Sequence, residues 1–251
     1  MTRIGILGAL GRMGQSIANA AAELDAIVSG GIDREGTVHG PHPDALSLAR
    51  ASDVLVDFTT PDALPAHLDA AVAAGCPIVV GTTGLADKDH KAIDEAAKRI
   101  AVLQSANTSL GINLLRHLVR ETAARLGPEW DIEVLEMHHR DKADAPSGTA
   151  LLLGASAADG RGSSLKALSR FDRIGGAAKK REPGTIGYAS LRGGSVPGDH
   201  MVIFATEHER IELGHRAQSR SVFARGAVRA ALWLAGKPAG RYDMNAVLGL
   251  E

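Results

Sequence analysis

The sequence predicts an α/β protein, a doubly wound parallel sheet joined to a second α+β domain with a largely open mixed sheet. Three observations predict it. A short apolar run stops on a glycine-rich turn and leads into an Ala-rich helical stretch. The same strand–turn–helix rhythm then repeats through roughly the first hundred residues, with glycine or polar residues wherever a strand stops. Past residue 130 the rhythm changes to alternating strand patterns with little helix between them. Alternating βα units build a parallel sheet, whereas runs of strands build a different layer.

The totals set the limits. A chain of 251 residues has room for one or two domains, each with a proper core. Hydrophobic residues at 45% and charged residues at 23% are ordinary for a globular protein. A net charge of −1 argues against nucleic acid as a partner, since phosphate backbones select basic faces. No apolar run approaches the ~20 residues that span a bilayer, so no membrane partner is expected. The chain reaches strand-like sequence by Ile4 with no signal segment ahead, and Cys76 is the lone cysteine. A cytoplasmic location is therefore expected, with Cys76 as a small buried residue where a strand begins.

The first strand, residues 3–7, runs into Gly8, Ala9, Leu10, Gly11, Arg12, Met13 and Gly14, and a helix is expected over 15–24. The spacing is G-x-x-G-x-x-G, close to the turn that lets a backbone approach a pyrophosphate at a helix N-terminus. A second strand over 26–32 ends at Asp33, about 20 residues on, where an acid meets ribose hydroxyls. Arg34 follows, where it can meet a 2′-phosphate instead. Strand 53–58 closes with Phe58 and Thr59 and leads to helix 63–74. Strand 77–80 closes with Gly81, Thr82, Thr83 and Gly84 and leads to helix 87–99. Strand 100–103 runs out into Ser105, Ala106, Asn107 and Thr108. Ligands of open parallel sheets bind beyond the carboxyl ends of strands, and these residues all fall at such ends. The first domain is accordingly Rossmann-like, with a nicotinamide-dinucleotide site. The segment between Asp33 and Asp53 is rich in Gly, Pro and His and too irregular for a full crossover helix, with at most a turn or two at 45–50. His39 and His42 are expected as solvent-facing loop residues.

A helix over 112–126 stops at Gly127 and Pro128, and 131–136 alternates as a half-buried strand. That strand delivers residues 136–150, which place His138, His139, Arg140 and Lys142 close together and then break into Pro146, Ser147, Gly148 and Thr149 ahead of an apolar run. A cationic loop feeding a helix start makes a carboxylate or phosphate cradle. Hydrogen-bonded strand-end histidines are the bland alternative, and Lys142 with the 146–149 turn argues against it. No metal is expected, because adjacent histidines on a strand face opposite ways and no third ligand sits at metal spacing. Further strands are expected over 167–173, 185–191, 201–205 and 209–213. Lys179, Lys180 and Arg181 read as a solvated loop, with a mobile lid over an anion as the alternative. A long amphipathic helix over 220–235 carries Val222, Phe223, Val228, Ala231, Leu232 and Ala235 in register.

Taken together, these residues resemble the dihydrodipicolinate reductase family, nicotinamide-dependent reductases of lysine and diaminopimelate biosynthesis. The likeness spans nearly the whole chain. It is carried by the glycine turn at 8–14, by Gly81-Thr82-Thr83-Gly84, and by the H-H-x-x-K-x-D-x-P-S-G-T-A pattern from His138 to Ala150. Residues 183–187, 198–200, Arg220 with Phe223, and 242–244 add to it. The resemblance implies His138 as the acid at the reacting centre and Lys142 as second proton donor. It implies His139, Gly148 and Thr149 on the substrate carboxylates. NADH and/or NADPH would be held by Gly8, Ala9, Leu10, Gly11, Arg12, Met13, Asp33, Arg34, Phe58, Thr59, Gly81, Thr82, Thr83, Ser105, Ala106, Asn107, Thr108 and Arg220. It also implies a dinucleotide-binding domain over 1–108 completed by 219–251, a substrate-binding and oligomerisation domain over 109–218, and a homotetramer. Two departures stand out. Thr108 replaces an aromatic found in many members, and the segment from Asp33 to Asp53 is shorter than in many.

The implied substrate is a cyclic unsaturated dicarboxylate, dihydrodipicolinate formed from 4-hydroxy-tetrahydrodipicolinate. Hydride delivery to its conjugated C=N–C=C system builds negative charge on the ring, so a positioned proton donor is needed. Histidine suits that task near neutral pH, and a lysine among cations can also donate. Two rival readings are another two-domain nicotinamide amino-acid dehydrogenase, which would lack the pattern at 138–150, and a non-catalytic dinucleotide-sensing module, which would bind NADH without turning it over.

Overall fold

The computed structural model describes residues 1–171 and 180–250. The chain divides into two compact units, Met1–Leu110 with Ser221–Glu251, and Gly111–Arg220.

The first unit contains β1 (Arg3–Leu7), α1 (Arg12–Glu23), β2 (Ile27–Asp33), β3 (Gly36–His39), α2 (Ala45–Ala51), β4 (Val54–Asp57), α3 (Leu64–Ala74), β5 (Ile78–Val80), α4 (Asp87–Ala97) and β6 (Ala101–Gln104). α5 (Leu110–Arg125) then leads into the second unit. That unit holds β7 (Asp131–His138), α6 (Gly148–Gly160), α7 (Leu165–Leu168), β8 (Ser169–Arg170), β9 (Ile186–Arg192), β10 (Asp199–Ala205) and β11 (Arg210–Arg216). The chain comes back to the first unit with α8 (Ser221–Leu234), β12 (Gly240–Tyr242) and α9 (Met244–Leu248).

The sheet of the first unit runs β12-β6-β5-β4-β1-β2-β3. Every neighbouring pair is parallel except β2 with β3. Strand residues alternate between two cores, as a period of two requires. Ile4, Ile6, Val54, Val56, Val79 and Leu103 pack on α1 and α8. Leu7, Leu55, Ile78, Val80 and Val102 pack on α2, α3 and α4. Burial on both faces explains why these strands are continuous apolar runs rather than alternating ones. Cys76 is 4% exposed at the approach to β5, and burial pushes its thiol up to about 12. A small inert side chain fits there.

Three expectations need correction. The segment after Asp33 forms the antiparallel edge strand β3 before α2, whose helix is capped by Asp44 accepting the Ser47 amide. His39 is exposed as expected, but His42 is only half-exposed, with its Nε2 3.1 Å from the Ser29 carbonyl oxygen. In α8 the buried face is Ala224, Gly226, Ala227, Val228, Ala230, Ala231 and Leu234, while Val222, Phe223, Leu232 and Ala235 are half-buried. Small residues let that helix lie close to the sheet, so size rather than hydrophobicity picks the face.

The second sheet runs β11-β10-β7-β9-β8. β10 is antiparallel to both β11 and β7, while β7 and β9, and β8 and β9, are parallel. One face carries Ile132, Val134, Ile186, Val202 and Phe204 against Leu115, Val119 and Ala123 of α5 and Leu153 and Ala157 of α6. The strand expected over 167–173 is shorter here. Ser164 caps the single turn of α7 through the Ala167 amide, which leaves Ser169 and Arg170 to pair with β9. Residues 172 and 173, and Lys179 of the basic trio, lie outside the described residues. Arg181 is no solvated loop cation. Its guanidinium contacts Asp131 at 2.6 Å and Glu133 at 3.0 Å and donates to the carbonyls of Ile132 and Thr185.

Candidate active site

In the first unit the glycine turn is fixed from both sides. The Gly8 and Ala9 amides donate to the Ile32 carbonyl at 2.9 and 3.1 Å. Gly8 has φ +84, and a Cβ there would lie 2.9 Å from the Phe58 carbonyl oxygen, so only glycine suits the position. α1 starts at Arg12 behind an N-cap, Gly11, that supplies no side-chain cap. The first-turn amides of Arg12 and Met13 thus face a place fit for an anion. Asp33 ends β2 with both carboxylate oxygens engaged, Oδ2 by the Leu10 amide at 2.9 Å and Oδ1 by the Arg34 amide at 2.8 Å. Arg34 itself is exposed.

The ends of β4 and β5 are tied to one carboxylate. Asp57, fully buried at the end of β4, accepts the Thr59 amide at 3.0 Å, the Thr59 hydroxyl at 2.6 Å and the Thr82 hydroxyl at 3.1 Å. His67 Nδ1 sits 2.8 Å from its other oxygen. Phe58 and Thr59 are half-buried, Gly81 and Thr82 buried, and Thr83 exposed. Ser105 donates to the Asn107 carbonyl at 2.7 Å, and Ala106 is exposed. Thr108 behaves differently. It is 1% exposed, and its hydroxyl donates to the Phe223 carbonyl at 2.7 Å, so its side chain fastens α8 instead of lining a strand end. The residues at the carboxyl ends of β1, β2, β4, β5 and β6 present backbone amides, small polar groups and one acid, the donor and acceptor set a dinucleotide needs.

In the second unit, β7 alternates so that Ile132, Val134, Glu136 and His138 share the covered face. Glu136 is 1% exposed and His138 8%. Glu136 Oε2 lies 2.5 Å from His138 Nδ1. Arg192, which opposes His138 across the parallel pair, donates through Nη1 to Oε2 at 2.9 Å and through Nη2 to Oε1 at 2.8 Å. The Ser147 amide adds a longer contact to Oε1 at 3.3 Å. Burial pushes the Glu136 carboxyl up, but hydrogen bonds from Arg192, His138 and Ser190 outweigh it and hold the group down to about 2. His200, opposite Glu136 on β10, stands edge-on to His138 with ring centres 5.0 Å apart. Its Nε2 is 3.1 Å from Ser147 Oγ. Burial first, and the neighbouring His138 second, push it down to about 4, so it is neutral at pH 7.

Beyond His138 the loop turns back through the Lys142 amide, which donates to the His139 carbonyl at 3.2 Å. Lys142 Nζ pairs with Asp144 at 2.8 Å. Ser147 caps α6 by accepting the Ala150 amide at 3.2 Å, which puts Gly148 and Thr149 in the first helical turn, Gly148 exposed and Thr149 half-buried. His139 faces away from His138 into a shallow recess of about 440 Å³ that it shares with Arg140, Asp141 and Arg220. Arg220 Nη2 lies 3.3 Å from His139 Nε2, so this expected cofactor contact sits beside an expected substrate contact.

Sequence reasoning gave Glu136, Arg192, Asp144 and His200 no role in this cluster, though it placed Ser147 at the helix start. The period of two could have found Glu136, which shares a face with buried Ile132 and Val134. Arg192 and His200 arrive from other strands, with no local signal to announce them.

A family model described as dihydrodipicolinate reductase, N-terminus, matches residues 2–108, and its C-terminus counterpart matches residues 111–248. The chain is 58% identical to the 4-hydroxy-tetrahydrodipicolinate reductase of Zymomonas mobilis, over 99% of this chain and 97% of that one. It is 49% identical to the enzyme of the same name from Acidiphilium cryptum, over 99% and 98% of the two chains. Among solved structures it is similar in fold to dipicolinate-bound dihydrodipicolinate reductase from Paenisporosarcina sp. TG-14. There the TM-score is 0.78 at 20% identity, with 97% of each chain covered.

Proposed function

The chain belongs to the dihydrodipicolinate reductase family, and from that premise we propose which of its residues carry the reaction. It is an NAD(P)H-dependent oxidoreductase that reduces dihydrodipicolinate, formed from 4-hydroxy-tetrahydrodipicolinate, to tetrahydrodipicolinate in lysine and diaminopimelate biosynthesis. The amino-acid dehydrogenase and sensing-module readings give way to it.

The observation that carries the residue-level reading is the loop from His138 to Gly148. It joins a strand end to a helix start and gathers an imidazole, an ammonium and first-turn amides in one short stretch. The cofactor, when bound, supplies the hydride. The Gly8–Met13 turn and the amides opening α1 hold its pyrophosphate, and Asp33 with Arg34 faces its adenosine ribose. Thr59, Gly81, Thr82, Thr83 and residues 105–107 line the nicotinamide side. Gly148 and Thr149 at the α6 N-terminus grip one substrate carboxylate. His139 takes a carboxylate as well, and Arg220 in the same recess adds its guanidinium. His138 gives a proton to the ring atom where negative charge develops. Lys142 is the second donor, and the substrate anion competes with Asp144 for its ammonium.

A homotetramer in the cytoplasm completes the proposal. The second sheet leaves Leu191 48% and Ile211 37% exposed, apolar surface that suits burial against other copies. No helix among the described residues is long and apolar enough to cross a membrane. Both cofactors are used, with a lean toward NADH because Asp33 repels a 2′-phosphate.

The test is initial-rate kinetics with freshly made hydroxylated precursor and each cofactor in turn. His138→Gln and Lys142→Ala should each cost at least ~100-fold in turnover while cofactor affinity stays near that of the unaltered enzyme. Unchanged turnover in both variants would remove the catalytic assignment. Light scattering on the purified protein decides the tetramer.

A further inference from the structure

A proton donor must present one defined nitrogen to its substrate, and imidazole has two. Which nitrogen works is set by the partner of the other. Here that partner is Glu136 Oε2, 2.5 Å from His138 Nδ1. Arg192 grips both oxygens of the same carboxylate, and the Ser147 amide and Ser190 add further donors. A carboxylate so held is ionised and can only accept. The hydrogen in the short contact therefore sits on Nδ1. On the far side of the ring, a Cβ at Gly198 would stand 2.9 Å from Nε2, so any side chain there would press on that nitrogen and only glycine spares it. His200 is neutral and edge-on, and it adds no second cation to the ring's surroundings.

Arg192 also reaches the loop. Its Nε donates to the Lys142 carbonyl at 3.2 Å and its Nη2 to the Asp144 carbonyl at 2.6 Å. One guanidinium thus connects the carboxylate behind His138 with the backbone of Lys142 and of its partner Asp144.

We propose that Glu136, clamped by Arg192, is the positioning residue for both proton donors: it holds His138 with hydrogen on Nδ1, leaving Nε2 as the nitrogen that gives its proton, while Arg192 sets the loop that carries Lys142. This rests on His138 being the acid. The hydride pair enters the substrate ring from the nicotinamide, and the electrons displaced onto the ring take the proton as the His138 Nε2–H bond breaks. The imidazole is left neutral with its Nδ1–H still donated to Glu136, and Nε2 regains its proton from solvent hydronium, the one proton the overall reduction consumes. Glu136 stays ionised throughout.

The charged and titratable groups facing Glu136 are His138 on its own strand, Arg192 on β9 and His200 on β10, with Lys142 on the adjoining loop. Nitrogen-15 NMR of the unaltered enzyme, labelled at histidine, reads the tautomer without any variant. Neutral His138 should carry its hydrogen on Nδ1, with a far-downfield proton resonance. An Nε2–H tautomer overturns the proposal. A double-mutant cycle supplies the kinetic arm. Glu136→Gln should lower kcat at least ~30-fold in the unaltered enzyme but under ~2-fold in a His138→Gln background, with the KM for NADH little moved in either. Arg192→Lys keeps the charge and loses the fork, and its cost in kcat should likewise shrink in a Lys142→Ala background. Equal losses in both backgrounds would make Glu136 and Arg192 general supports and overturn the proposal. Full activity in His138→Gln alone would instead remove the acid assignment beneath it.

Discussion

Thr82 Oγ1 lies 3.1 Å from Asp57 Oδ1, and through that contact a buried acid joins two strand-end loops. The Thr82 oxygen also accepts the Thr59 amide at 3.1 Å, so one hydroxyl spans the gap. Thr82→Val keeps the shape and removes the bridge. It should cost about 1 kcal/mol of stability and raise the KM for NADH roughly fivefold with kcat little changed. Thermal denaturation and initial rates check both, and an unmoved KM would mean the loops hold their places without Asp57.

Acid should weaken the fold in two steps. His200 is held down to about 4 against an ordinary value of 6.5, so the unfolded chain takes up that proton first. Its contribution is complete above 6.5 and is lost as pH falls toward about 4, to the extent of about 3 kcal/mol at most. Glu136, held down to about 2 against 4.5, loses its contribution only between those values. Urea unfolding at a series of pH values should show the upper step flatten in His200→Gln while the lower one stays.

Cofactor choice should turn on Asp33. Asp33→Asn keeps the size and one acceptor while removing the charge that, on the proposed reading, would face a 2′-phosphate. The ratio of kcat/KM for NADPH over NADH should rise about tenfold, as expected for ~1.4 kcal/mol of relieved repulsion. Salt should shrink the difference between the two enzymes. A ratio that does not move would place the discrimination in Arg34 or elsewhere.

Arg181→Ala should be a stability lesion. The guanidinium bridges Asp131 and Glu133 and satisfies the carbonyls of Ile132, Glu182 and Thr185. Losing it should cost about 2–3 kcal/mol in denaturant unfolding, because several buried acceptors are left unmet at once. Turnover at low temperature should stay within about twofold if the residue is no lid over an anion.

The parts legible in the sequence are those whose signal is local. β1, β4, β5 and β6 stand out because both faces are buried, which makes each an unbroken apolar run ending on glycine or a small polar residue. The strand end at His138 and the helix start at Ser147 are likewise written in adjacent letters. β3 and β12 are not, since edge strands of three or four residues form only when a partner strand offers its hydrogen bonds. The carboxylate behind His138 is half legible. Glu136 follows the parity of Ile132 and Val134, but a charged residue on the core face makes sense only once Arg192 and His200 are known to meet it. Thr108 shows the opposite limit. It stands just past the end of β6, yet its hydroxyl is turned toward Phe223, more than a hundred residues along the chain.

The return of the chain has a consequence for its synthesis. β6 pairs with β12, and α8 covers Val54, Val56, Val79 and Leu103 of the first sheet. A ribosome working at roughly 5–20 residues per second needs on the order of ten seconds to make the intervening Gly111–Arg220. Throughout that interval the nascent sheet has an open edge and a bare apolar face. The first unit is thus prone to aggregation until its last elements arrive, and a fragment released at Leu110 is expected to clump instead of folding.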